Sequence, residues 1–370
     1  MKRLIIIVVV LLSVSIVNAQ DESYEFKSIV DLGVSTVKSQ DRTGTCWCYS
    51  TVSFLESELI RMGKPEYDLS EMYFVKKAYE QKASNYIKTH GKSNFSQGGQ
   101  AHDVLNEIKD HGIVPESVYL GRMYDSEKHN HNELSAVLTS FLDGVLKAKN
   151  PSNVWYNAFN AILDIYLGED PESFEIDGKS YTPQTYAKDL GININDYVEL
   201  TSYTDMPYYK QSTLLIPDNW SQDQYYNVHL DELMDIMKFS LMEGYTFVWD
   251  GDVSDKGFSH KNNVAVVDDE TDKEKSHLNH PIKEKAIDAD FRQAQYNNFN
   301  VTDDHLMHIV GLVKDQNDVM YYKTKNSWGT ESNEFGGFLN MSEEFMRLHT
   351  VAIMVHKNAI PKDLKKKLDL

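Results

Sequence analysis

The segment Gln40-Asp-Arg-Thr-Gly-Thr-Cys-Trp-Cys-Tyr-Ser50 constrains this chain more than any other. Cys48, Val52, Leu55 and Leu59 recur at helical spacing, and Gly63 follows as a stop. The pattern predicts a helix that starts at Cys46, with Thr45 as its N-cap. A thiol there faces unpaired backbone N–H groups and the positive end of the helix dipole. Both favour thiolate. Gln40 stands six residues earlier and can offer an amide N–H beside the sulfur. A nucleophile with an oxyanion donor is half of a site for acyl transfer.

Such a thiol needs a base, and the chain has 13 histidines. His305 is the best placed, where a loop enters a predicted strand over 306–313. His308, three residues on, points to the opposite face of that strand and reads as packed. The next predicted strand, 320–325, runs into Asn326-Ser-Trp-Gly329. The Asn326 carbonyl can accept an imidazole N–H and so fix the tautomer. Gly98 and Gly99 precede another predicted helix, and paired glycines let a backbone come close to a ligand.

In this order the motifs resemble those of papain-like cysteine peptidases. Gln40, Thr43, Gly44, Cys46 and Trp47 are similar to the bleomycin hydrolase (aminopeptidase C) branch, as is Gly98-Gly99-Gln100. His305 with Gly311, and Asn326-Ser-Trp328, also fit, although Leu306 is bulkier than the usual follower. Thr43 and Ser96 stand where papain has a disulfide, which that branch lacks.

The resemblance implies an α+β fold of two lobes, one helical and one β-barrel-like, with the cleft between them. It implies peptide-bond hydrolysis through a thioacyl intermediate, with peptides as partners and no cofactor. Cys46 would be the nucleophile, His305 the base, Asn326 its orienting group and Gln40 the oxyanion donor. Cys46 and His305 would rest as thiolate and imidazolium. Gly98 and Gly99 would hold the substrate main chain, and Trp328 would shelter the His–Asn bond. Position 46 to position 305 is a separation of 259, against roughly 130–150 in simple members. A mostly helical insertion at about 121–245 accounts for the excess, with helices predicted over 134–146, 154–167 and 230–241. In the branch the C-terminus lies in the cleft and its carboxylate pairs with the substrate amine, which makes the enzymes aminopeptidases. The tail 356–370, ending at Leu370, carries that expectation here. Members form hexameric cages, so a homo-oligomer is implied. An exported endopeptidase with an open cleft and a silent binding protein on the same scaffold stay open as alternatives.

The N-terminus reads as a signal peptide over 1–19. Lys2 and Arg3 precede an apolar run at 4–17, and Val17-Asn-Ala19 fits a cleavage site. The remaining chain, 20–370, would be one exported domain, periplasmic or secreted, with no membrane contact after cleavage. The net charge of −19 falls to about −21 without the signal, which repels phosphate backbones and argues against nucleic acid. The only two cysteines, Cys46 and Cys48, are too close along a helix to bridge well, so both are expected free. No Cys/His cluster shows metal-ligand spacing.

Overall fold

The computed structural model describes residues 23–123, 127–267 and 278–370; the signal segment lies outside them. β1 (Lys27–Asp31) leads to α1 (Cys46–Arg61), the predicted helix. α2 (Glu71–Lys88) starts at Ser70, whose hydroxyl accepts the Tyr73 N–H at 3.2 Å. α3 (Ala101–His111) ends at Gly112, with φ 83°. These three helices bury Val52, Leu55, Phe74, Val75 and Val104 against one another in the first lobe.

α4 (Asn132–Leu146) and α5 (Val154–Leu167) extend that core through Leu138, Leu142, Phe159 and Leu163. The hairpin β2 (Phe174–Ile176) and β3 (Lys179–Tyr181) and then α6 (Pro183–Leu190) follow. The expected insertion is helical for the most part but also carries strands of the main sheet. β4 (Tyr197–Thr201), β5 (Gln211–Thr213) and β6 (Gln224–Asn227) join the main sheet before α7 (Leu230–Met242). β4 pairs antiparallel with β13 (Thr350–His356), about 150 residues later, so no local pattern announced it.

The second lobe is a mixed 11-stranded sheet containing β7 (Phe247–Gly251), β8 (Phe258–Ser259), β9 (Val264–Ala265), β10 (His305–Lys314), β11 (Met320–Lys325) and β12 (Phe338–Ser342). α8 (Ala289–Asn297) and α9 (Glu343–His349) lie in its connections, and α10 (Lys362–Lys367) follows β13. Alternation along β10 joins the lobes. Leu306 packs with the first-lobe core, while Met307 and Ile309 pack with Leu233, Ile236 and Met237 of α7. The start of α1 is thereby seated against the start of β10. No helix among the described residues is long and apolar enough to cross a membrane.

The C-terminal tail does not follow the expectation for the cleft. Ile360, Leu364 and Leu368 are buried in the α7 cluster, with Leu370 packed against it. Lys367 donates to Glu232 at 2.6 Å. The four-residue spacing of the apolar positions gives this short helix a face, and α7 takes it.

Candidate active site

Two chain segments are laced together at the site. The Gln40 N–H donates to Ser327 O at 2.8 Å, and the Gly329 N–H donates to Lys38 O at 3.0 Å. The Gln40 loop is thereby fixed to the Asn326–Gly329 turn. The Ser327 hydroxyl donates to Gln40 Oε1 at 2.6 Å, which settles which end of the amide is which. Gln40 Nε2 donates to Thr43 O at 2.7 Å and keeps its second hydrogen.

Thr45 holds the N-cap position, but its hydroxyl meets that of Thr43 at 2.5 Å instead of a helix N–H. The expected side-chain cap is therefore absent. Among the described residues nothing accepts the Cys46 N–H, which leaves it as a donor beside the sulfur. Cys46 is 9% exposed, and the backbone N–H of Leu306, the residue after His305, faces its sulfur and favours thiolate.

His305 Nε2 lies 2.9 Å from Asn326 Oδ1. The Ser327 N–H donates to the same oxygen at 2.8 Å, so the amide is oriented and Nε2 is the protonated nitrogen. Trp328 covers the imidazole, with ring centroids 5.2 Å apart and planes 32° apart. His308 faces inward, with Nδ1 2.9 Å from Ser53 Oγ on α1.

Burial pushes the Cys46 thiol up to about 12. Burial also pulls His305 down to about 4, although Asn326 works the other way. Burial thus works against charge on both members of the expected thiolate–imidazolium pair, while the position of Cys46 at a helix N-terminus works for the thiolate.

Gly98 and Gly99 are needed for close approach. A Cβ on Gly99 would lie 2.7 Å from Asp103 Oδ2 and 3.0 Å from Trp47, and one on Gly98 would collide with the Asp218 carboxylate. Gln97 staples this turn to the Cys46 loop. Its Oε1 accepts the Gly44 N–H at 2.8 Å, and its carbonyl accepts Trp47 Nε1 at 3.0 Å. The buried Lys82 donates to Gly98 O from behind.

The structure thus brings Gln40, Cys46, His305, Asn326 and Trp328 together, ties the Gly98–Gly99 turn to them through Gln97, and leaves Leu370 against α7. Sequence reasoning missed three participants. His260 Nδ1 receives Asn326 Nδ2 at 3.4 Å. Asp218 reaches Gly98 from the insertion. Gln100 Nε2 donates to Asp303 Oδ2 at 3.0 Å. Asp303 lay in plain view two residues before His305, and the other two sit on loops without a pattern. Among the described residues no group of three or more His, Cys, Asp or Glu converges as metal ligands would.

The profile described as Papain family cysteine protease matches residues 22–224, and that described as Peptidase C1-like family matches 159–370. Aminopeptidase G of Lactobacillus delbrueckii subsp. lactis is 25% identical, over 90% of this chain and 83% of its own length. Aminopeptidase W of the same organism is 24% identical, over 90% and 84%. In shape the chain is similar to the crystal structure of PepW from Lactobacillus rhamnosis HN001. The TM-score is 0.71 at 21% identity, over 93% of this chain and 84% of that one.

Proposed function

The chain belongs to the papain family of cysteine proteases, and from that premise we propose that it is a thiol aminopeptidase acting through Cys46, His305, Asn326 and Gln40. The observation that carries the residue roles is the lacing of residues 38–40 to 327–329, with His305 held by Asn326 at 2.9 Å. Aminopeptidases G and W support the substrate class, since both align over most of their length. His305 Nδ1 takes the thiol proton as sulfur attacks the carbonyl carbon. The Cys46 N–H and the free Gln40 hydrogen receive the oxyanion. His305 then gives its proton to the leaving amine and later takes one from the attacking water.

One observation favours a second reading, an endopeptidase with an open cleft. The tail that would close the cleft lies on α7 instead. Paired peptides with free and acetylated N-termini separate the two. Strong preference for the free amine supports the aminopeptidase, and equal cleavage supports the endopeptidase. Loss of all activity in Cys46→Ala is required by both.

Export through the 1–19 segment and self-association are part of the proposal, supported by the basic-then-apolar N-terminus and by the family resemblance. N-terminal sequencing of protein recovered outside the cytoplasm should begin after Ala19. Sedimentation velocity should show a species above the mass of a monomer, and a lone monomer would refute self-association.

A further inference from the structure

We infer that the carboxylates of Asp218, Asp250 and Asp303 form the subsite that holds the α-ammonium of a peptide substrate. This rests on the aminopeptidase reading and supplies what the C-terminal tail does not.

The three acids are grouped at the nucleophile by three different elements. Asp303 lies two residues before His305, on the loop entering β10. Asp250 lies on β7, in register with Leu306, whose backbone meets the Cys46 thiol. Asp218 comes from the insertion loop between β5 and β6 and leans over Gly98. These are also the three acids whose charges bear on the Cys46 thiol.

Part of their hydrogen-bonding capacity is unused. Asp250 is 3% exposed, and neither of its carboxylate oxygens receives a hydrogen bond among the described residues. The group it faces is the Asp303 carboxyl, near enough for one proton to be shared between the two when no cation is bound. Asp303 has Gln100 Nε2 on Oδ2 at 3.0 Å. Asp218 Oδ1 is held by Asn94 Nδ2 at 2.9 Å and Ser96 Oγ at 3.4 Å, while Oδ2, beside Gly98, takes no described donor. The neighbouring cation, Lys82, spends its hydrogens on the carbonyls of Ser96 and Gly98. A buried acid pair is costly unless a proton or a cation lies between its members, and an ammonium can replace the shared proton.

Direction follows from the chemistry. The leaving nitrogen must face His305, on the side that Trp328 covers. The acyl half, which carries the amino terminus, then runs over Gly98 toward Asp218 and Asp303. An ammonium has three N–H donors, which matches a site of unbonded carboxylate oxygens. With the acids placed this close to Cys46, the subsite admits a short N-terminal segment and penalises a blocked one.

The test uses the full-length protein, an alanyl arylamide and its N-acetyl form. In the wild type the ratio of the two kcat/KM values should favour the free amine. Asp218→Asn and Asp303→Asn should each shrink that ratio by about 10- to 100-fold, the size of one charge-assisted hydrogen bond, mainly through KM for the free amine. A desamino substrate should lose by a similar factor on the wild type and much less on the two variants. If the wild type shows no preference, the aminopeptidase reading falls first. If the wild type prefers the free amine while both variants, folded by thermal melting, keep its ratio, the ammonium subsite is overturned.

Discussion

Asn326 Oδ1 sits between the Nε2–H of His305, at 2.9 Å, and the Ser327 N–H, at 2.8 Å. One oxygen thus fixes the imidazole tautomer and is itself fixed by the backbone. Asn326→Ala should lower kcat/KM by about 10- to 100-fold while the protein stays folded. Asn326→Asp should retain more activity and move the acid limb of the pH profile upward, because a carboxylate favours imidazolium. An unmoved acid limb would contradict the pairing.

Cys46 is pushed up to about 12 and His305 down to about 4, so the pair carries one proton across the whole interval. Below about 4 His305 takes a second proton and can no longer accept that of the thiol. For the N-acetyl substrate, which carries no titrating amine, the kcat/KM profile should therefore rise as pH climbs through about 4 and stay level past neutrality. Thiolate absorbance at pH 7, read against Cys46→Ala, should be weak. A strong thiolate band would sink the neutral resting pair.

The tail is a stability element. Leu368, buried with Leu364 and Ile360 under α7, should cost about 2–4 kcal/mol when changed to Ala. The preference for free over blocked N-termini should not move. A switch to endopeptidase activity on removing residues 359–370, without loss of stability, would return the tail to the cleft.

On α1, Glu56 is 1% exposed and serves three partners. It accepts the Leu69 N–H at 2.9 Å, touches the Ser35 hydroxyl and lies 3.9 Å from Lys38. Lys325 donates to Ser35 and to Ser53, the residue that holds His308. Glu56→Ala strands the Leu69 N–H and the Ser35 hydroxyl and should destabilise by about 2–4 kcal/mol in urea melts. A cost below about 1 kcal/mol would show that the cluster is dispensable.

Stability should fall on the alkaline side. Burial opposes a proton on His102, but Glu199 at 2.7 Å, with Asp103 and Asp223, raises it to about 9. Its contribution, up to about 3 kcal/mol, is complete below 6.5 and lost as pH rises through about 9. Burial raises Glu107 to about 9 and Glu116 to about 8. Both keep a proton that the unfolded chain releases above about 4.5, so they act in the same direction. The urea midpoint at pH 9.5 should lie below that at pH 6.5, and His102→Gln should flatten part of the slope.

What the sequence made legible was local. Cys46 at a helix start, His305 at a strand start and Asn326 at a strand end are each announced by their neighbours, and β10 and β11 lie close to their predicted spans. What it hid was pairing at a distance. β4 is a strand because β13 is beside it, and Asp218 matters because its loop folds over Gly98. The tail misled because reach was legible and affinity was not. Its length could span a cleft, but the spacing of Ile360, Leu364 and Leu368 suits α7.

β1 lies antiparallel on β10, with Lys27 opposite Lys314, so the beginning of the domain is completed by its last quarter. In time, the helix that bears the thiol is made first and its base 259 residues later. At ordinary synthesis rates that interval is roughly 10–50 s. Throughout it the growing chain carries a cysteine with no imidazole partner. Hydrolysis can begin only when the lobes have closed on each other, so a nascent chain is spared its own activity by the order of its parts.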